Sequence, residues 1–242
     1  MNKKLSTSVT VLLVVISFGA VVSAFAQRGG MGGSAMGSGA TITGLWERSR
    51  GYSVGVELTS YGEELIEGLT VMDDPEVFCE GYNVPRTSFA SNTAVRLVEH
   101  PNRFEIYYEH NAAERVVHLD GETATDATRM LGTSVGRREG NTIIIETNGF
   151  PDGLSHGPGL VTTDELQFLE RYTLRNDGNT LEVLLMSVDS GVMKWPRISH
   201  AFWTRLPEDT FFYPSQCEYN LEEHVPYYDP AVLESSYIDP AE

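Results

Sequence analysis

From Thr93 onward the chain alternates apolar and polar residues with a period of two, and this limits its fold more than any other feature. Runs of this kind bury one face and wet the other, so each reads as a β-strand rather than a helix. They are Ala94 to His100, Arg103 to His110, Glu114 to Asp120, Thr133 to Glu139, Thr142 to Asn148, Leu166 to Arg175, Thr180 to Asp189 and Ile198 to Leu206. Pro101-Asn102, Gly140-Asn141 and Asn176-Asp177-Gly178-Asn179 lie between neighbouring runs and have the chemistry of hairpin turns. With an earlier strand over Ile42 to Arg48, this predicts about nine strands, most of them joined directly to the next. A meander of that size curls and closes, because closure removes exposed edges. The expected fold is mostly β: an antiparallel up-and-down meander closing into a barrel or half-barrel, with one or two short N-terminal helices.

Helical segments are expected between the first strand and the alternating runs. Leu58 to Ile66 predicts a short helix that Thr59 or Ser60 can cap, with acidic residues in its first turns. Asp73-Asp74-Pro75 predicts a second helical turn carrying Cys79. Ahead of these, Lys3 and Lys4 precede a mostly apolar run from Val9 to Val22, and Ala24-Phe25-Ala26 follows. That order predicts a signal peptide over 1–26, cut after Ala26. The run is short for a membrane span, so no membrane insertion is expected after cleavage. Residues 27–40, QRGGMGGSAMGSGA, predict a flexible tether. The barrel domain is expected over 41–217 and an acidic, tyrosine-rich tail over 218–242.

Export makes the expected location secreted or periplasmic. In that oxidising setting Cys79 and Cys217 are the only two cysteines and predict one disulfide. Closing so long a loop would contribute about 4–5 kcal/mol in the chain-entropy picture. Lys and Arg total 17 against 34 Asp and Glu, and the net charge of -17 becomes -19 once Lys3 and Lys4 leave. Such a surface repels phosphate backbones, so no nucleic-acid partner is expected. The two cysteines have no nearby histidine cluster, so no metal site is expected, and no cofactor motif is present.

The stretch Gly132-Thr133-Ser134-Val135-Gly136-Arg137-Arg138-Glu139-Gly140-Asn141-Thr142-Ile143, ending in Thr147-Asn148-Gly149-Phe150, resembles a signature of the type G-H-S-x-G-x-W-E-G-D-T-L followed by T-x-G-F. That signature belongs to an uncharacterised family of exported bacterial hypothetical proteins. Leu58-Thr59 with Gly62, Asp73-Asp74-Pro75 ahead of Cys79, Leu119-Asp120-Gly121, Glu170-Arg171-Tyr172, Lys194-Trp195-Pro196, and Cys217 with Asn220 are similar too. The resemblance covers about Leu45 to Asn220 and implies export and a lipocalin-like barrel. It implies no reaction. The family's histidine is Thr133 here and its tryptophan is Arg138, so any chemistry resting on those two positions is absent from this chain.

Candidate site residues come from polar groups on apolar strand faces. Leu166, Phe168, Glu170, Tyr172 and Leu174 share one face, which sets a carboxylate among large apolar side chains. A buried carboxylate needs donors, and Arg137 on a neighbouring run is the expected partner. His118 shares a face with Val116, and His156 lies in the loop Gly153-Leu154-Ser155-His156-Gly157-Pro158-Gly159. Arg137, Glu170, Tyr172 and His156 are therefore the expected ligand-binding residues, and Glu170, His156 and His118 the candidates for proton transfer. His100 at a turn and His224 in the tail are expected to be solvated. Three readings follow. One is a secreted or periplasmic barrel that binds a small, partly apolar molecule. Another is a lipocalin-like enzyme, an isomerase, cyclase or hydrolase, using a barrel carboxylate or histidine. The last is an envelope structural or interaction module with a filled core.

Overall fold

The computed structural model describes residues 41–79, 83–90, 93–121, 129–157 and 159–214. The expected signal peptide, tether and acidic tail lie outside the described residues, as do Cys217 and His224.

Nine strands close into one barrel. They are β1 (Gly44–Val54), β2 (Val95–Glu99), β3 (Arg103–Tyr108), β4 (Glu114–His118), β5 (Thr133–Glu139), β6 (Thr142–Asn148), β9 (Gln167–Leu174), β10 (Thr180–Val188) and β11 (Arg197–Arg205). Around the wall the order is β1-β11-β10-β9-β6-β5-β4-β3-β2, and β1 closes the ring by pairing with both β11 and β2. The remaining strands, β7 (Leu154–Gly157) and β8 (Leu160–Thr162), form a separate hairpin between β6 and β9. Alternation is nearly complete on β3, β9 and β10, whose inward residues are buried while those between are partly exposed or exposed. Each strand boundary agrees with its apolar–polar run to within a few residues, except that β1 continues to Val54 past a bulge between Arg48 and Arg50.

Two features depart from the expected up-and-down meander. The adjacent strands β4 and β5 run parallel and share one register pair, His118 with Val135. A hairpin-length link would force them antiparallel, but residues 119–132 are long enough for the chain to return in the same direction. Gly136 keeps this seam close. A Cβ there would lie 2.8 Å from both Leu119 Cδ2 and Val117 Cγ1. The second departure is that the loop expected over Gly153–Gly159 holds strand β7 and its hairpin.

Among the described residues, two α-helices accompany the barrel. Helix α1 (Ser60–Ile66) is capped by Thr59, whose Oγ1 accepts from Gly62 N–H at 3.0 Å and donates to the Gly191 carbonyl at 2.6 Å. One hydroxyl thus starts the helix and ties it to the β10–β11 connection. A 3₁₀ turn, Pro75–Phe78, is capped by Asp74 and ends at Cys79 in a left-handed conformation. Helix α2 (Val84–Ala90) had no clear periodic signal in the sequence. Asn83 Oδ1 accepts from Arg86 N–H at 2.8 Å at its start. Val84, Thr87, Ser88 and Phe89 are buried, and Phe89 packs on Phe168 of β9 with ring centroids 5.9 Å apart. Arg86 anchors the helix through Asp74 and Glu76. No described helix is long and apolar enough to cross a membrane.

Candidate functional site

The β9 face read from sequence points into the barrel. Leu166, Phe168, Tyr172 and Leu174 are buried beside a Glu170 that is 0% exposed. This carboxylate has several donors. Tyr172 Oη–H donates to Oε1 at 2.8 Å, and Ser88 Oγ–H of α2 donates to the same oxygen at 3.4 Å. The Arg115 guanidinium of β4 donates to Oε2 through Nη1. Arg115 is itself buried, and it extends further across the barrel. Its Nη2 donates to Ser134 Oγ at 2.7 Å on β5 and to Thr147 Oγ1 at 2.6 Å on β6, and its Nε donates to Ser134 Oγ at 3.1 Å. One side chain therefore links β4 to β5, β6 and β9, across the seam where backbone pairing is thinnest.

The network continues through two tyrosines. Tyr108 Oη lies 2.9 Å from Ser88 Oγ, and Tyr172 Oη bonds the Glu170 carboxylate that Ser88 also reaches. Burial, with the Glu170 charge adding to it, pushes the Tyr108 phenol up to about 12. The same two causes hold Tyr172 well above its ordinary value. Both phenols therefore stay protonated and act as donors. Burial is the largest single influence and would weaken the charge on Arg115, but the charge and hydrogen bond of Glu170 together with the neighbouring Tyr108 and Tyr172 outweigh it, and the guanidinium is held more firmly charged than usual. The surroundings are aromatic. Tyr172 lies between Phe104 and Trp203, with ring centroids 5.9 and 6.1 Å away. Trp203 is buried as well, and its Nε1–H has no acceptor among the described residues.

The sequence-predicted residues are only partly brought together. Glu170 and Tyr172 meet as expected. Arg137 is not the partner of Glu170. It lies on the outer face, its side chain 39% exposed, and pairs with Glu139 at 2.8 Å and Glu146 at 2.7 Å. The misplacement is one of parity. On β5, Ser134 and Gly136 face inward, so Arg137 faces out. His118 also falls on the outer face of β4, where Val116 is exposed, while Arg115 and Val117 face inward. His156 belongs to β7, and its side chain lies outside the described residues. His200 is on the outer wall 2.7 Å from Glu182, between Tyr52 and Phe202. His100 Nε2 sits 3.1 Å from Glu105 Oε2 and is closed off from water, so that nitrogen is not solvated as expected. Trp46 and Trp203 pack inside, whereas Trp195 is 65% exposed.

Sequence reasoning missed Tyr108 and Ser88 and, above all, the charged partner Arg115. Its run, Glu114-Arg115-Val116-Val117-His118, puts one valine on each face, so hydrophobicity does not reveal which face is inside. Pairing settles it. Val117 lies opposite Phe104, whose inward direction is clear from Phe104, Ile106 and Tyr108.

The fold and the site together define a closed nine-stranded β-barrel with a fully buried, charge-balanced polar cluster in an aromatic interior. Among solved structures, the chain is similar to a mutant of the REP1-NXSQ fatty acid transporter. The identity is 9% and the TM-score 0.36, over 68% of this chain and 98% of that one, and no residue role carries across. No protein-family model and no curated protein matches the chain.

Proposed function

We propose that this protein is a secreted or periplasmic barrel that binds a small, partly apolar molecule. The apolar part lies against aromatic and aliphatic side chains, and the polar end is oriented by the cluster of Arg115, Glu170, Tyr172 and Tyr108. The observation that carries this reading is the concentration of buried hydrogen-bonding groups on inward strand faces that are otherwise apolar. Ligand sites combine large apolar surfaces with a few converging polar groups in this way. A buried donor on Trp203 with no acceptor supports the same reading. Removal of 1–26 and pairing of Cys79 with Cys217 belong to the proposal, and their support is the sequence pattern.

Two measurements test it. Native mass spectrometry of protein purified from its own host is expected to find a retained small molecule that denaturation releases. Nile red, an uncharged apolar fluorophore, is expected to bind saturably at one site per chain. Absence of both a retained molecule and saturable dye binding sinks the reading in favour of a filled structural barrel.

A further inference from the structure

The charge balance of the cluster narrows the class of ligand, given the binding reading above. Arg115 and Glu170 are buried and paired to each other, so the interior already holds one positive and one negative charge. A ligand that brought a carboxylate or an ammonium would leave one buried charge without a counterpart, which is strongly unfavourable in a low-dielectric interior. The hydrogen-bond inventory points the same way. A guanidinium has five N–H bonds. The hydrogen bonds of Arg115 to Glu170, Thr147 and, twice, Ser134 engage four of them and leave one on Nη1. Trp203 Nε1–H is buried and also lacks an acceptor. Glu170, in contrast, has donors on both oxygens. Two N–H groups, one on Arg115 and one on the neighbouring Trp203, thus lack acceptors among the described residues, and the cluster carries no spare charge.

We infer that the ligand is an uncharged amphiphile whose polar end presents an acceptor oxygen, such as an ester, ketone or alcohol, and that free fatty acids and amines are discriminated against. Selectivity of this kind comes from the cost of an unmatched charge, not from the shape of the apolar part, so probes of equal chain length isolate it.

The test is competition against bound Nile red on the full mature chain at about pH 8, where a free carboxylic acid is ionised. Methyl oleate, oleic acid and the hydrocarbon octadecene have closely similar chains and differ in their ends. Methyl oleate is expected to displace the dye at concentrations at least about tenfold below oleic acid and below octadecene, a tenfold change corresponding to about 1.4 kcal/mol. Glu170→Gln leaves Arg115 without its counterion and is expected to reverse the order, with oleic acid becoming the better competitor. If wild-type protein takes oleic acid as well as methyl oleate, or octadecene as well as methyl oleate, or if none of the three displaces the dye, the inference is overturned while the binding reading survives. If Nile red itself finds no saturable site, the binding reading falls and takes this inference with it. The wild-type comparison stands even where Glu170→Gln fails to fold.

Discussion

The Glu170 carboxylate is cut off from water and accepts from Arg115, Tyr172 and Ser88. Removing its counterion strands a buried charge, whereas replacing both partners with apolar groups does not. Arg115→Met alone is expected to cost about 3–5 kcal/mol of stability, and the double change Arg115→Met with Glu170→Leu distinctly less. Arg137→Met, on the wet outer face, is expected to cost under about 1 kcal/mol. Urea unfolding of the four proteins checks the series, and equal losses for Arg115→Met and Arg137→Met would contradict the assigned geometry. The tyrosines predict a response to alkali. Tyr108 is raised from 10.0 to about 12, and Tyr172 is raised well above the same reference. As pH rises through 10.0 the unfolded phenols lose protons while the folded ones keep them. The folded state is then the one holding more protons, so stability is full below that value and declines above it, toward about 12 for Tyr108. Tyr108→Phe is expected to make the decline shallower, measured as the midpoint of thermal unfolding across the alkaline range.

Among the elements, α1 and α2 are held in different ways. Helix α1 has seven residues, too few to persist alone, so its position depends on docking. Gly62 is the close point. A Cβ there would lie 2.5 Å from the Val192 carbonyl oxygen, a backbone atom that cannot move aside cheaply. Gly62→Ala improves helix propensity but is expected to destabilise the protein by about 1–3 kcal/mol, because the overlap outweighs the propensity gain. Thermal unfolding checks the sign, and a stabilised variant would show that α1 does not sit against the β10–β11 connection. Helix α2 is tied at both ends of its role. Arg86 binds Asp74 and Glu76 on one side, and Ser88 reaches Glu170 on the other.

For the whole molecule, barrel closure and the covalent link act on different states. Pairing of β1 with both β2 and β11 removes open edges from the main sheet of the native state. A bridge between Cys79 and Cys217 would instead restrict the unfolded chain, linking the segment before the β2 strand to the segment after β11. Cys79→Ser and Cys217→Ser are expected each to lower stability by about 2–4 kcal/mol under oxidising conditions, and both effects are expected to vanish when the wild-type reference is reduced. Chemical unfolding with and without reductant checks this, and unchanged stability in the variants would count against the bridge.

Most of the barrel was legible from the alternation of residues along the chain. A half-buried strand must place every second side chain inside, and hairpin turns leave local marks such as Gly140-Asn141 and Asn176 to Asn179. That reasoning found the inward face of β9 and with it Glu170 and Tyr172. It did not find α2, whose seven residues are too few to display a helical period, or the parallel β4–β5 seam, because the Asp120-Gly121 pair after β4 has the chemistry of a hairpin turn and the parallel return is decided by pairing alone. The partner of Glu170 was equally out of reach. Periodicity along one strand determines which residues share a face, but only pairing between strands decides which face is inside and which side chains meet. Arg115 and Arg137 are both arginines on short alternating runs. Closure of the wall turned one toward the buried carboxylate and the other toward water, because burying a guanidinium is tolerated only where an opposite charge awaits it.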